Sequence, residues 1–328
     1  MQSIGIKGMG YYVPENVFTN FDFEKIIDTS DEWIRTRTGI IERRFASKDQ
    51  ATSDLATEAS LKAIKNAKIN KEDVDMIILA TTTADYIAQG AACIVQNKLG
   101  LKKIPCFDLN AACTGFIYGL EVAYSLVKSG LYKNILVIGA ETLSRIVDMQ
   151  NRNTCVLFGD GAAAAIVGEV EKGYGFLGFS IGAEGEDNMI LKVPAGGSKK
   201  PNNEDTIKNR ENFVIMKGQD VFKFAVSTLP KVTSDALEKA KLKVNDLSMV
   251  FPHQANLRII ESAAKRMKFP LEKFYMNLSR YGNTSSASVG IALGEAIEKG
   301  LVKKGDNIAL TGFGGGLTYG STIIKWAY

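Results

Sequence analysis

Short runs of consecutive apolar residues alternate along this chain with stretches in which apolar residues recur every three or four positions. The runs DMIILATT (75–82), IPCFDL (104–109) and NILVIGA (134–140) have the length and content of buried parallel strands. Residues 114–129 place Phe116, Ile117, Leu120, Ala123 and Val127 at helical spacing, and Gly130 is a natural stop. VLFGDGAAAAIVG (156–168) predicts two strands joined at Gly159-Asp160-Gly161. LSMVFP (247–252) predicts a strand ending just before His253, and QANLRIIESAAKRM predicts a helix with Leu257, Ile260, Ala264 and Met267 on one face. This alternation is the signature of an α/β protein.

The pattern repeats itself. Residues 111–140 have an echo in 281–312: a turn of small residues, an apolar helix, a glycine stop and a strand. Cys113 precedes Gly130 by the same spacing as Asn283 precedes Gly300, which pairs Cys113 with Asn283. Two units follow, 1–170 and 171–328. Between the paired segments, PAGGSKKPNNEDTIKNREN (194–212) reads as an exposed loop.

Composition narrows the class. Hydrophobic residues make up 45% and charged residues 23% of the 328 positions, an ordinary globular balance. A net charge of +4 gives no reason to expect nucleic acid or a membrane as partner. The N-terminus has no signal-like apolar run, and the uncharged stretch from Asn307 to Ile324 is too rich in Gly, Ser and Thr for a membrane helix. A cytoplasmic protein is expected. Its cysteines, Cys93, Cys106, Cys113 and Cys155, should then be thiols, and with a single histidine and no C-x-x-C pair no metal site is expected.

Five places could carry chemistry. Cys113 lies between a predicted strand and a predicted helix, where helix N–H groups favour thiolate over thiol; its plain alternative is a buried inert cysteine. His253, the only histidine, lies at a strand end, the usual rim of an α/β site, although a structural histidine would fit as well. Asn283 in YGNTSSAS could donate an amide hydrogen bond or simply cap a helix. The glycine-rich LTGFGGGLTYGS (310–321) lacks G-K-[ST], so it is no P-loop. It could offer backbone N–H groups to an oxyanion, or be only a hairpin. Trp33 beside Arg35 and Arg37 could stack a base and hold phosphates, or form a half-buried surface helix.

Together, TSDEWIRTRTGI, DLNAACTGFIYGL, CVLFGDGAAAA, PHQANLRII, YGNTSSAS and GFGGGLTYGS resemble, in order and spacing over nearly the whole chain, the β-ketoacyl-acyl carrier protein synthase III family. These condensing enzymes start type II fatty acid synthesis. The resemblance implies a thiolase-like five-layered α-β-α-β-α fold of two duplicated halves, usually a homodimer. It implies acyl-CoA and malonyl-acyl carrier protein as substrates, and neither a metal nor a cofactor. It assigns Cys113, His253 and Asn283 to catalysis, with the Cys113 and Gly315 amides as the oxyanion hole. It sets Trp33, Arg37, Arg152 and Asn256 against coenzyme A, and Phe313 in the acyl pocket. Gln254, Ala255, Asn256, Leu257 and Arg258 would touch the carrier protein. One departure stands out. Where the family commonly has Phe-Pro-small-x-Ala-Cys, this chain has AQGAAC (88–93), so Ala88 replaces an aromatic that closes the partner subunit's acyl pocket. A wider starter range is therefore expected.

A thiolase would need a second cysteine in the C-terminal half, and none follows Cys155. A papain-like protease does not fit AACTGF. A binding protein would have little use for all three residues. A condensing enzyme of secondary metabolism, of polyketide or quinolone type, would keep them and is the main alternative.

Overall fold

The computed structural model describes residues 2–185 and 190–328. Two sheets carry the fold. The first has five strands in the order Ile4–Tyr12, Gly161–Glu169, Asn134–Glu141, Met76–Ala80 and Cys106–Leu109. The last three run parallel. The second has four, in the order Met249–Pro252, Asn307–Gly314, Thr318–Lys325 and Gly175–Ala183, and its first two are parallel.

Two helices, Gly115–Lys128 and Ser288–Glu298, lie between the sheets, because each is apolar on nearly every side. Phe116, Ile117, Leu120, Val289 and Leu293 pack there against Ile78, Val137, Phe251 and Leu310. Helices Thr52–Ala67 and Ala91–Leu99 cover the outer face of the first sheet. Helices Gly218–Ala240 and Leu257–Met267 cover that of the second. The result is five layers, helix, sheet, helix, sheet, helix. Strands Met76–Ala80 and Asn134–Glu141 read as nearly unbroken apolar runs because helices bury both of their faces, whereas the edge strand Cys106–Leu109 is only partly covered.

The repeat holds for four strands of each sheet, the first sheet adding Cys106–Leu109, but not in the pairing read from the sequence. Strands Met76–Ala80 and Met249–Pro252 begin 173 residues apart. So do strands Asn134–Glu141 and Asn307–Gly314, and helices Gly115–Lys128 and Ser288–Glu298. At that offset Cys113 matches Ser286, and Asn283 matches Asn110. Backbone geometry agrees: Ala112 and Ser285 both have positive φ, 46° and 47°. The side chains of Asn110 and Asn283 each accept from the backbone N–H two residues on. The glycine stops misled because the second inter-sheet helix is three residues shorter, 11 against 14.

Two further expectations change. Residues 156–158 form no strand; they leave a short helical turn, Arg152–Cys155, and only Phe158 makes an isolated bridge, to Asn283. The strand proper starts at Gly161, after Asp160 has turned its carboxylate inward to the Ala46 and Ser144 N–H groups. The loop at 194–212 is mostly exposed but contains a capped helical turn, Glu204–Lys208. Arg210 pins it to Asp148 with two hydrogen bonds.

Candidate active site

Cys113 occupies a short 3-10 turn, Ala112–Thr114, that feeds helix Gly115–Lys128. The positive φ of Ala112 turns the chain sharply from strand to helix. Glycine at 314 is required opposite, since a Cβ there would come within 2.7 Å of the Cys113 nitrogen. The Ser285 hydroxyl and the N–H groups of Cys113 and Gly315 reach the sulfur. These donors favour thiolate, as the helix terminus does. Burial outweighs them and pushes the thiol up to about 12, so the free protein holds Cys113 as a thiol, against the expectation from sequence.

His253 follows strand Met249–Pro252, and its backbone N–H continues the ladder to the Thr311 carbonyl at 2.8 Å. The imidazole is 1% exposed, and burial drives its pKa down to about 3. It is therefore neutral. Nδ1 lies 2.7 Å from the Ser288 hydroxyl. With that hydroxyl donating to Nδ1, Nε2 carries the ring proton and is a hydrogen-bond donor. The ring meets Phe313 edge to face at 5.3 Å between centroids.

Asn283 is fixed at both ends. Its backbone exchanges hydrogen bonds with Leu157 and Gly159. Its Oδ1 accepts the Ser285 N–H at 2.8 Å. With the oxygen so engaged, the Nδ2 group is the free end and is available as a donor. Cys113, His253, Asn283 and Phe313 line one small cavity of about 40 Å³, with Met216 and Phe224 on the opposite wall. A larger cavity of about 360 Å³ adjoins it at Cys113, Phe158 and Leu191; Thr82, Leu143, Ile146 and Val214 wall it, with Gly315 and Ser285 at its floor. A thiol, a neutral imidazole, a side-chain amide and the Cys113 and Gly315 N–H groups thus line two adjoining cavities. A groove of about 500 Å³ between helices Gly218–Ala240 and Leu257–Met267, lined by Pro230, Leu237, Arg266 and Met267, has no cysteine, histidine or asparagine in its lining.

A second group forms on the surface. Arg37 and Arg152 both lie against the Trp33 ring, at 4.8 and 4.6 Å from its centroid. Asn256 joins them by donating to the Arg37 carbonyl at 3.0 Å while its Oδ1 caps helix Leu257–Met267. Arg258 donates to the Thr36 carbonyl, so both residues tie that helix to helix Asp31–Thr38.

One expected position differs, and another can be met only across a subunit interface. The Gln254 side chain is buried. Its amide donates to the Pro252 and Tyr275 carbonyls, and its oxygen accepts from the Asn277 and Leu278 N–H groups. It staples the loop that carries His253 and is not presented to a partner. Ala88 lies in an exposed loop and lines neither cavity of its own chain; Tyr86 and Ile87 beside it are 63% and 93% exposed.

Sequence reasoning missed Ser288, Ser285, Thr82, Leu143 and Val214. Ser285 and Ser288 lie in the quoted YGNTSSAS, whose small polar residues could have flagged them. The apolar wall residues carry no sequence signal that separates them from core.

Among the described residues no group of three or more Cys, His, Asp or Glu is placed to hold a metal ion. No described helix is long and apolar enough to cross a membrane.

Comparison with known proteins agrees over the whole chain. Residues 107–185 match the family model 3-oxoacyl-[acyl-carrier-protein] synthase III, and residues 237–326 match the model of its C-terminal part. A curated protein of Fusobacterium nucleatum, β-ketoacyl-[acyl-carrier-protein] synthase III, is 99% identical over 328 residues, the full length of both chains. One of the same name from Caldanaerobacter subterraneus is 55% identical over 98% of each chain. The crystal structure of 3-oxoacyl-[acyl-carrier-protein] synthase III from Aquifex aeolicus superposes with a TM-score of 0.91, at 46% identity, covering 99% of this chain and 100% of that one.

Proposed function

The chain belongs to the 3-oxoacyl-[acyl-carrier-protein] synthase III family, and from that premise we propose that it joins an acyl-CoA starter to malonyl-acyl carrier protein. The products are 3-oxoacyl-acyl carrier protein, CoA and CO₂, and the step starts fatty acid synthesis. The single observation that carries the mechanism is the meeting of Cys113, His253 and Asn283 on one cavity wall.

In the first half-reaction Cys113 loses its proton as it attacks the thioester carbonyl of acyl-CoA. The Cys113 and Gly315 N–H groups hold the tetrahedral oxyanion, and CoA leaves as its thiol, carrying the proton. The acyl group stays on sulfur. In the second, malonyl-carrier protein loses CO₂ and its electron pair moves onto the thioester oxygen as an enolate. Nε2–H of His253 and Nδ2–H of Asn283 donate to that oxygen. The enolate carbon attacks the acyl-Cys113 carbonyl, the tetrahedral adduct collapses, and Cys113 leaves as a thiolate that takes a proton from solvent to return to the thiol. A neutral imidazole suits this role, since a donor is needed and no charge has to be desolvated. None of these steps calls on a metal or resident cofactor.

The larger cavity is our reading for the acyl chain, with Phe313 near the reacting centre. The Trp33, Arg37 and Arg152 group is our reading for the nucleotide end of CoA, an aromatic face with two cations for phosphates. Ala255, Asn256, Leu257 and Arg258, with exposed Lys265 and Lys268 along the same helix, are proposed as the dock for an acidic carrier protein. A homodimer fits the exposed Tyr86 and Ile87 and the unpaired edge of strand Cys106–Leu109, where Phe107 is 38% exposed. In that dimer Ala88 would face the neighbouring subunit's acyl pocket. We place the protein in the cytoplasm, where its substrates are made. The curated relatives carry the fatty-acid enzyme's name, which favours this role over secondary metabolism.

Intact mass spectrometry after mixing with acetyl-CoA tests the nucleophile. One acetyl adduct is expected, lost in Cys113→Ala. An adduct that survives that substitution refutes the assignment.

A further inference from the structure

We propose that Glu141 is a positioning residue held as a neutral carboxylic acid, which through Ser286 keeps the turn carrying Asn283 and Ser285 in register with Cys113. The proposal rests on the function just assigned to those three residues.

Glu141 ends strand Asn134–Glu141 and is 0% exposed. Its Oε2 accepts from Thr83 Oγ1 at 2.6 Å, from Thr82 N and Oγ1 at 3.1 Å each, and from Thr81 Oγ1 at 3.2 Å. Its Oε1 meets only the Ser286 hydroxyl, at 2.9 Å. That same hydroxyl lies 2.9 Å from the Ala80 carbonyl oxygen. A serine has one proton to give. Were Glu141 ionised, Ser286 could serve one of the two oxygens, and its lone pairs would face the other. A proton on Oε1 satisfies both contacts: the acid donates to Ser286, and Ser286 donates to Ala80. Among the described residues no Lys or Arg pairs with Glu141 to hold a charge there. Burial of the carboxyl acts in the same direction.

The duplication shows what the acid is for. In the second half Gly314 stands where Glu141 stands in the first, and Cys113 stands where Ser286 does. At the active side the strand end has no side chain, and Gly314 meets Cys113 with backbone only. At the other side the side chain is present and fills the mirrored position with hydrogen bonds. Ser286 is pressed in from two directions: a Cβ on Gly139 would come within 2.6 Å of its carbonyl oxygen, and one on Gly115 within 3.6 Å of its Cβ. Glu141 therefore fastens the end of strand Met76–Ala80, its own strand and the Asn283–Ser286 turn at one point, across the two halves.

Three measurements test this on the full-length protein. First, infrared difference spectroscopy between wild type and Glu141→Gln at neutral pH should show a protonated-carboxyl band present only in the wild type. Its absence overturns the neutral acid. Second, the pH profile of Cys113 alkylation by iodoacetamide should superimpose in the two proteins. A buried negative charge removed from beside the thiol would instead move the Gln profile to lower pH, and that result overturns the proposal. Third, Ser286→Ala should lower the rate of malonyl-carrier decarboxylation about tenfold, the effect of one hydrogen bond's worth of free energy. Glu141→Gln, which can still donate to Ser286, should stay within about threefold. Equal rates in wild type and Ser286→Ala overturn the positioning role. The first two readings use no acyl or malonyl substrate, so they stand or fall separately from the proposed reaction.

Discussion

At Cys113 two effects oppose each other. The helix terminus and three hydrogen-bond donors pull the thiol toward ionisation, while burial pushes it up to about 12, and burial wins. Alkylation of the free protein should therefore be slow at neutral pH and climb well above pH 9; a plateau below pH 8 would show a stabilised thiolate. His253 behaves inversely. Its pKa is about 3 in the fold against about 6.5 in the unfolded chain, so between those values the unfolded chain binds a proton that the native one refuses. Stability thus falls as pH drops below about 6.5, by up to about 1.4 kcal/mol per pH unit. Urea unfolding at pH 7 and pH 5 should show this loss in the wild type and lose it in His253→Gln; parallel slopes would contradict a neutral buried imidazole. His253→Ala should cost malonyl decarboxylation about 10²–10³-fold, as removal of an oxyanion donor does, while acyl transfer to Cys113 continues. Local sequence placed the three residues at a strand end or in small-residue turns but left each with a plain structural alternative; the family resemblance joined them, and the fold sets them around one cavity. The state of Cys113 was not, because its burial is made by Gly314, Phe158 and other residues far away in the chain.

At the scale of elements, strands and inter-sheet helices could be read directly, since double burial leaves unbroken apolar runs. The failures have local causes. Residues 156–158 are apolar and strand-like, yet the chain turns there to bury Asp160 and bridge Asn283. The resemblance set Gln254 against the carrier protein, but its side chain is buried by four hydrogen bonds to residues 2 to 24 positions away in sequence. The amphipathic helix Leu257–Met267 carries its proposed carrier-protein role on exposed Lys265 and Lys268, whereas Arg258 is already tied to Thr36. Lys265→Glu should raise KM for malonyl-carrier protein several-fold, more so at low salt, and leave self-acylation unchanged. An equal loss in both half-reactions would point to the helix supporting the fold instead.

The whole molecule is a duplicated frame in which one half carries Cys113 and the other His253 and Asn283. Its duplication was visible in sequence, but the register was not, because a shorter helix shifted the glycine that marked it. The loop with Tyr86, Ile87 and Ala88 belongs to this scale, since a single chain leaves it in solvent. Ala88→Phe should lower kcat/KM for butyryl- and isobutyryl-CoA relative to acetyl-CoA, at about 0.8 kcal/mol for each CH₂ displaced; an unchanged ratio would mean that Ala88 reaches no acyl pocket. The central claim is that acyl-Cys113 is condensed with malonyl-carrier protein with help from His253 and Asn283. It is tested most directly by pre-acylating the enzyme, removing free acyl-CoA, adding malonyl-carrier protein and weighing the carrier protein by mass spectrometry. The expected result is one 3-oxoacyl-carrier protein per acylated Cys113, with the acyl adduct retained and no product in His253→Ala. Product formed at the wild-type rate by His253→Ala, or an acyl-Cys113 that never transfers, would contradict it.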